Sequence, residues 1–199
     1  MANSFVLYLI RHLPTAGNKE RKYIGWTDEP ILEPVEVLEL FECLSPIQFV
    51  YGSDLLRSRQ SAARYFPHAT FQADASWREC NFGDFEGKTY AELEQNKDYR
   101  KWLDNPYIFA PTGGENLKDL EARVLTALNQ LPNKAVVVTH GGPIRVVLTK
   151  FSPVEKDFWS WVTPHGSGYR LEWESDLAFK EGKVCTSISA VPITANENS

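Results

Sequence analysis

Two uninterrupted apolar runs constrain the fold of this chain more than any other feature: "FVLYLI" at Phe5–Ile10, and the centre of "KAVVVTH" at 134–140. Both are too short for an ordinary helix and lack polar alternation, so each reads as a strand covered on both faces. Strands of that kind belong to parallel sheets with helices on either side. Both runs then stop on polar residues. The first ends on Arg11 and His12, the second on His140 followed by Gly141 and Gly142. Arginine and histidine resist burial, so these strand ends are expected to emerge at a site.

The intervening chain supports a layered arrangement. Pro34 in the first turn of "VEVLELFECL" predicts a helix. "IQFVYGS" predicts a second strand, after which Ser53 is expected to cap "DLLRSRQSAARYF", with Leu56 and Ala63 on its apolar face. "ATFQA" predicts a third strand and "YAELEQNKDYRKWL" one helix within the looser stretch from Trp77 to Pro111. Leu117, Leu120, Val124, Leu128 and Leu131 recur at helical spacing, as in an amphipathic helix packed on a sheet. "GGPIRVVLTKF" starts another helix, with Pro143 in its first turn. "GYRLEWES" and "KVCTSISAV" alternate like an antiparallel edge pair around a Gly-containing turn. The expected fold class is α/β, a three-layer α/β/α sandwich with a mostly parallel mixed sheet. One domain over 1–199 is expected, its motifs within 5–148 and a frayed tail at 192–199.

Composition narrows the function. The 199 residues are 43% hydrophobic and 24% charged, with a formal charge of −5 and a pI near 5.4. That balance argues against nucleic-acid or anionic-membrane partners, which draw on excess Lys and Arg, but leaves room for a small anion held by a few arginines. Cys43, Cys80 and Cys185 are odd in number and without metal-type spacing, so free thiols and a cytoplasmic setting are expected. The start of the chain lacks a basic region and a long enough apolar core for a signal peptide. No HExxH, CxxC or Asp-rich loop is present, so neither metal nor cofactor is expected.

In an α/β fold, ligands collect where strands end and helices begin. Arg11 and His12 lie at one such place, Arg57 early in the helix after the second strand, and His140 with Gly141 at a helix start, where free N–H groups favour an anion. Two guanidinium forks and two imidazoles around one rim suit phosphate oxygens.

Five ordered segments then resemble the histidine phosphatase superfamily, which includes the phosphoglycerate mutases. "LIRHLPTAGN" resembles its Arg-His-Gly motif. "YGSDLLRSRQSA" is similar to its second arginine segment and selects Arg57 over Arg59. "WRECNFGDFEGKTYAEL" resembles the segment carrying the acid, placing it at Glu79 rather than Glu86. "TGGENLKDLEARV" is similar to a segment bordering the substrate, which points to Glu115. "VVVTHGGPIRVVL" resembles the second histidine segment. The resemblance implies His12 as nucleophile, forming a phosphohistidine. Arg11, Arg57 and His140 then hold the phosphoryl oxygens, and Glu79 is proton donor and later base. Asn18 and Thr15 add hydrogen bonds. The implied partner is a small phosphomonoester; oligomeric state is left open.

The chemistry agrees with these roles. Phosphoryl transfer needs an in-line nucleophile and positive charge around three equatorial oxygens. Adjacent arginines disfavour imidazolium, which keeps His12 ready to attack. One residue departs from the family: Leu13 stands where Gly is usual. Either the backbone there needs no positive φ, or the site is altered.

Other residues keep plainer readings: His68 and His165 in turns, with His165 rimming the pocket as its alternative, Arg59 a surface charge, Cys80 inert. Tyr23, Trp26, Trp102, Tyr107 and Phe109 either form a satellite core or cover the pocket mouth, where Trp26 could stack on a ring-bearing substrate. The resulting expectation is a phosphomonoester hydrolase. The "YIGWTDEPI" loop is similar to that of α-ribazole phosphatases, which makes α-ribazole 5'-phosphate a candidate substrate. A phosphoglycerate mutase-type phosphotransferase is the alternative, and its members are expected to carry longer insertions than this length allows. A non-catalytic module binding a phospholigand is the contrasting class.

Overall fold

A computed structural model describes residues 4–33 and 47–192. The strands are β1 (Phe5–Arg11), β2 (Phe49–Gly52), β3 (Thr70–Ala73), β4 (Ala135–Thr139), β5 (Ser167–Trp173) and β6 (Ser187–Pro192). The helices are α1 (Ala16–Lys19), α2 (Leu56–Tyr65), α3 (Tyr90–Leu93), α4 (Lys97–Asp104), α5 (Leu117–Leu128), α6 (Gly141–Phe151) and α7 (Asp176–Lys180). The strands form one sheet in the order β3-β2-β4-β1-β5-β6. β3, β2, β4 and β1 pair in parallel; β5 and β6 are antiparallel additions beyond β1.

The two apolar runs are the centre of this sheet, and their side chains divide between its faces with the period of two that a strand imposes. Phe5, Leu7, Leu9, Ala135 and Val137 join the larger core, under α5, α6 and Phe179 of α7. Ile10, Val136 and Val138 join a second core with Ala62 and Tyr65 of α2 on the opposite face. Helices on both faces are what the unbroken apolar pattern required. Tyr23 and Trp102 pack with Phe85, Leu93 and Tyr99 in a separate aromatic cluster, so for these two the satellite core is the arrangement found.

Several sequence expectations need correction. The helix expected after Ser53 starts later. Leu55 occupies the N-cap without a side-chain bond, and Ser53 Oγ instead accepts from Leu55 N–H. Leu56 and Ala63 are exposed; the buried face of α2 is Arg57, Ser58, Ser61, Ala62 and Tyr65. The single helix expected around residues 90–103 is two, because the Asn96 side chain accepts from the N–H groups of Asp98 and Tyr99 and starts α4 afresh. The antiparallel pair β5–β6 stands at the edge of the sheet as expected, but α7 lies in the connection where only a Gly-containing turn was expected. The helix expected at "VEVLELFECL", Cys43, and all but the first residue of the expected tail lie outside the described residues. No described helix is long and apolar enough to cross a membrane.

Candidate active site

The register of β1 against β4 builds the centre of the site. Arg11 pairs with Thr139, and His12 N–H extends the ladder by donating to Thr139 C=O at 2.9 Å. His12 and His140, each next in its chain, are therefore neighbours, with ring centroids 4.9 Å apart. That spacing is close to the distance between adjacent strands. Both residues are buried. His12 Nδ1 lies 2.6 Å from Leu13 C=O. A carbonyl only accepts, so Nδ1 carries the proton and Nε2 keeps its lone pair. Burial, then His165, Arg57 and Arg11, hold this imidazole neutral well below the usual histidine range.

Arg57 is fully buried on the polar face of α2. Its Nε donates to His140 Nδ1 at 3.2 Å, its Nη1 to Thr27 C=O at 2.8 Å and its Nη2 to Gly25 C=O at 2.6 Å. Because His140 Nδ1 accepts, His140 Nε2 carries the hydrogen, and that buried donor has no partner among the described residues. Burial, then the Arg57 charge, keeps His140 neutral as well. The helix is seated by Ser58 Oγ donating to Val138 C=O and by Ser61 Oγ, which donates to Arg57 C=O and accepts from Leu13 N–H.

Arg11 donates from Nη1 to Thr163 C=O at 2.5 Å, while its buried Nε has no partner among the described residues. Burial lowers its pKa to about 10; Glu79 opposes that shift, and Arg145 and Arg57 reinforce it. Glu79 completes the group. Gly142 N–H is 3.0 Å from both of its carboxylate oxygens, and Cys80 N–H donates to Oε1 at 2.9 Å. A Cβ at position 142 would stand 2.0 Å from Glu79 Oε1, so the second glycine of "HGG" makes room for the acid.

Comparison with known proteins identifies this arrangement. The sequence model of the histidine phosphatase superfamily (branch 1) matches residues 7–181. The chain belongs to that superfamily. A 2,3-bisphosphoglycerate-dependent phosphoglycerate mutase from Methylocella silvestris is 29% identical over 88% of this chain and 97% of its own. Phosphoserine phosphatase 1 of Hydrogenobacter thermophilus is 24% identical over 78% and 80%. The crystal structure of TTHB049 from Thermus thermophilus superposes with a TM-score of 0.71 at 29% identity, covering 94% of this chain and 99% of that one. Since nearly the whole of a relative named as a mutase is covered, length does not argue against mutase chemistry, and that expectation falls.

Within the superfamily's motif, Leu13 is explained. It is absent from the residues at positive φ, and its side chain is wholly buried in the second core. Only its backbone serves the site: the C=O orients His12, and the N–H binds Ser61. Thr15 Oγ1 and Asn18 Oδ1 form a reciprocal capping box on α1, which leaves the Asn18 amide nitrogen to offer a ligand. Gly141 is the buried first residue of α6. Trp26 is 40% exposed, donates from its indole to Glu79 C=O at 3.0 Å, and lies under the Arg78 guanidinium.

Glu115, expected to border the substrate, instead bonds through its carboxylate to Arg123 and Asn81 N–H. Arg123 in turn donates to the carbonyls of Ser76, Arg78 and Glu79, so this pair braces the segment that carries the acid. Sequence reasoning missed Arg123. It passed over Glu86 in favour of Glu79 and did not foresee its reach. The Glu86 carboxylate accepts from the N–H groups of Gly25, Trp26 and Phe82 and from Thr27 Oγ1, shaping the loop whose carbonyls hold Arg57. His165 is drawn into the site: its ring lies 5.0 Å from that of His12, and its Nδ1 lies 3.1 Å from His12 C=O. Burial and Arg11 lower its pKa to about 3. Arg59 and His68 are exposed, as read from the sequence.

Proposed function

We propose that this protein is a phosphomonoester hydrolase working through a phosphohistidine at His12. The observation that carries the reading is a charge account. Arg11, Arg57 and Arg145 form no ion pair with a carboxylate among the described residues. All three feel the charge of Glu79. With the histidines neutral, these guanidinium groups outnumber Glu79, the one carboxylate that all three feel, while Asp28, Glu86 and Glu29 act on Arg57 as well. The cationic rim around His12 suits a phosphoryl anion.

In this mechanism the substrate phosphorus lies in line with His12 Nε2. That lone pair forms the N–P bond while the P–O bond to the leaving group breaks, and Glu79, loaded with a proton taken up together with the substrate, gives it to the departing oxygen. The Nε2–H of His140 and the guanidinium groups meet the equatorial oxygens as charge shifts onto them. Glu79, now a carboxylate, takes a proton from water as the water oxygen attacks phosphorus. Orthophosphate leaves and His12 is restored. The substrate is a small phosphorylated metabolite. The loop at 23–31 and half-exposed Trp26 support a ring-bearing one such as α-ribazole 5'-phosphate.

Mutase chemistry is the second reading, favoured by the name of the Methylocella relative. The test is incubation with a radiolabelled phosphomonoester. The expected result is orthophosphate release and an acid-labile, base-stable phosphoenzyme, both absent in His12→Ala. Binding without release would make the protein a phospholigand module, and interconversion of phosphoglycerates primed by the bisphosphate would make it a mutase.

A further inference from the structure

The segment after α6 touches the site with every second residue. Trp161 C=O accepts from Arg145 Nε at 3.0 Å, and Thr163 C=O accepts from Arg11 Nη1 at 2.5 Å. His165 Nδ1 then meets His12 C=O at 3.1 Å. Two backbone carbonyls and one imidazole of residues 161–165 thus meet the site, so this segment is a strap laid along one of its walls. Two groups on that wall are left open to a ligand. The hydroxyl of Thr163, a residue only 4% exposed, has no hydrogen-bond partner among the described residues. Arg145, with its guanidinium facing Gly141, has no carboxylate partner among them either.

These groups converge on the start of α6. The point that a Cβ of Gly141 would occupy lies 2.9 Å from Arg145 Nη1, 3.2 Å from Thr163 Oγ1 and 3.5 Å from Arg11 Cζ. Arg11 and Arg145 are thus closer than their two distances laid end to end, and their like charges repel. An unsatisfied buried hydroxyl costs stability, and two half-buried guanidinium groups side by side repel. A single oxyanion relieves both.

We infer that Arg145 and Thr163 form a second wall of the phosphate cradle: the Arg145 guanidinium and the Thr163 hydroxyl bind a phosphoryl oxygen beside Arg11. The inference rests on the hydrolase reading and deepens it, because Arg145 adds a cation to the cradle that Arg11 and Arg57 already form beside His12. It makes the site selective for the dianion of a phosphomonoester over the monoanion of a diester.

The test measures orthophosphate and orthovanadate binding by calorimetry near pH 8, with no turnover required. Thr163→Val keeps the shape of the side chain and is expected to weaken phosphate binding about tenfold, a typical loss for one hydrogen bond to a charged group. Thr163→Ser, which keeps the hydroxyl, is expected to restore it. Arg145→Gln is expected to weaken binding more than tenfold and to narrow the preference of kcat/KM for monoesters over diesters, with Arg145→Lys intermediate. Folded Thr163→Val and Arg145→Gln proteins that bind phosphate like wild type would overturn the inference and leave the hydrolase reading standing. So would a loss in Thr163→Val that Thr163→Ser fails to restore. Wild-type protein that binds neither anion and turns over no phosphomonoester would sink both.

Discussion

Arg57 Nε donates to His140 Nδ1 at 3.2 Å, and this one bond decides which face of the second histidine serves the site. A histidine whose Nδ1 accepts must carry its hydrogen on Nε2. Arg57 is held by backbone carbonyls of Gly25 and Thr27, so it keeps its charge for the ligand while orienting its neighbour. Lysine lacks the planar fork and cannot do both. Arg57→Lys is expected to lower kcat/KM for phosphomonoesters by about 100-fold, the scale of losing one preorganised donor at a developing charge. Steady-state kinetics check it, with circular dichroism to show that the fold persists.

Glu86 acts on Arg57 at one remove. Its carboxylate gathers the backbone of residues 25–27 and of Phe82, and a Cβ on Gly25 would stand 2.4 Å from Glu86 Oε1. Glu86→Gln replaces one acceptor by a donor that faces other donors. The expected cost is about 2 kcal/mol of folding stability, read by urea unfolding. A rise in KM larger than the fall in kcat is expected with it, since the loop no longer holds Arg57 in place.

Restoring the glycine usual in the superfamily is expected to harm this protein. Leu13 is wholly buried among Ile10, Ile31, Val50 and Val138. Leu13→Gly leaves a cavity and frees the backbone, at a cost of about 4 kcal/mol. Thermal unfolding reads the loss. No gain in kcat is expected, because the side chain points into the core rather than the site.

Acid is expected to weaken the fold before the carboxylates titrate. His12, His140 and His165 are all held neutral below their ordinary value of 6.5. The unfolded chain takes up protons as pH falls through 6.5 while the folded one does not, so stability drops in that direction. Each histidine contributes a slope of up to about 1.4 kcal/mol per pH unit, and for His165 this continues towards pH 3. Urea midpoints at pH 7.5, 6.0 and 5.0 give the slope, and His165→Gln is expected to flatten it. By the same sign, the acid limb of kcat/KM is expected below pH 6.5, since His12 keeps its lone pair there.

Much of the candidate site was legible because its residues sit where unbroken apolar runs stop. "FVLYLIRH" and "AVVVTHGG" mark two buried strands and the polar ends they expose, and a parallel sheet brings such ends to one rim. The layering of the fold and the positions of His12, His140 and Arg11 follow from that pattern, Arg57 from the helix after the second strand, and Glu79 from resemblance alone. α2 was misread because its inward face is Arg57, Ser58 and Ser61, and a rule that seeks apolar residues inside cannot find a helix whose buried task is to deliver a charge.

The local sequence determined which segments are strands, where they end and which titratable groups those ends carry, because periodicity and caps act over a few residues. Only the tertiary structure decided that Thr163, Arg145 and His165 stand against β1, that Glu115 turns to Arg123, and that Leu13 faces the core. Those outcomes depend on which carbonyl or cavity a distant segment presents. Hydrogen bonds across 152 residues, like that from Arg11 to Thr163, leave no spacing in the chain from which they could be read.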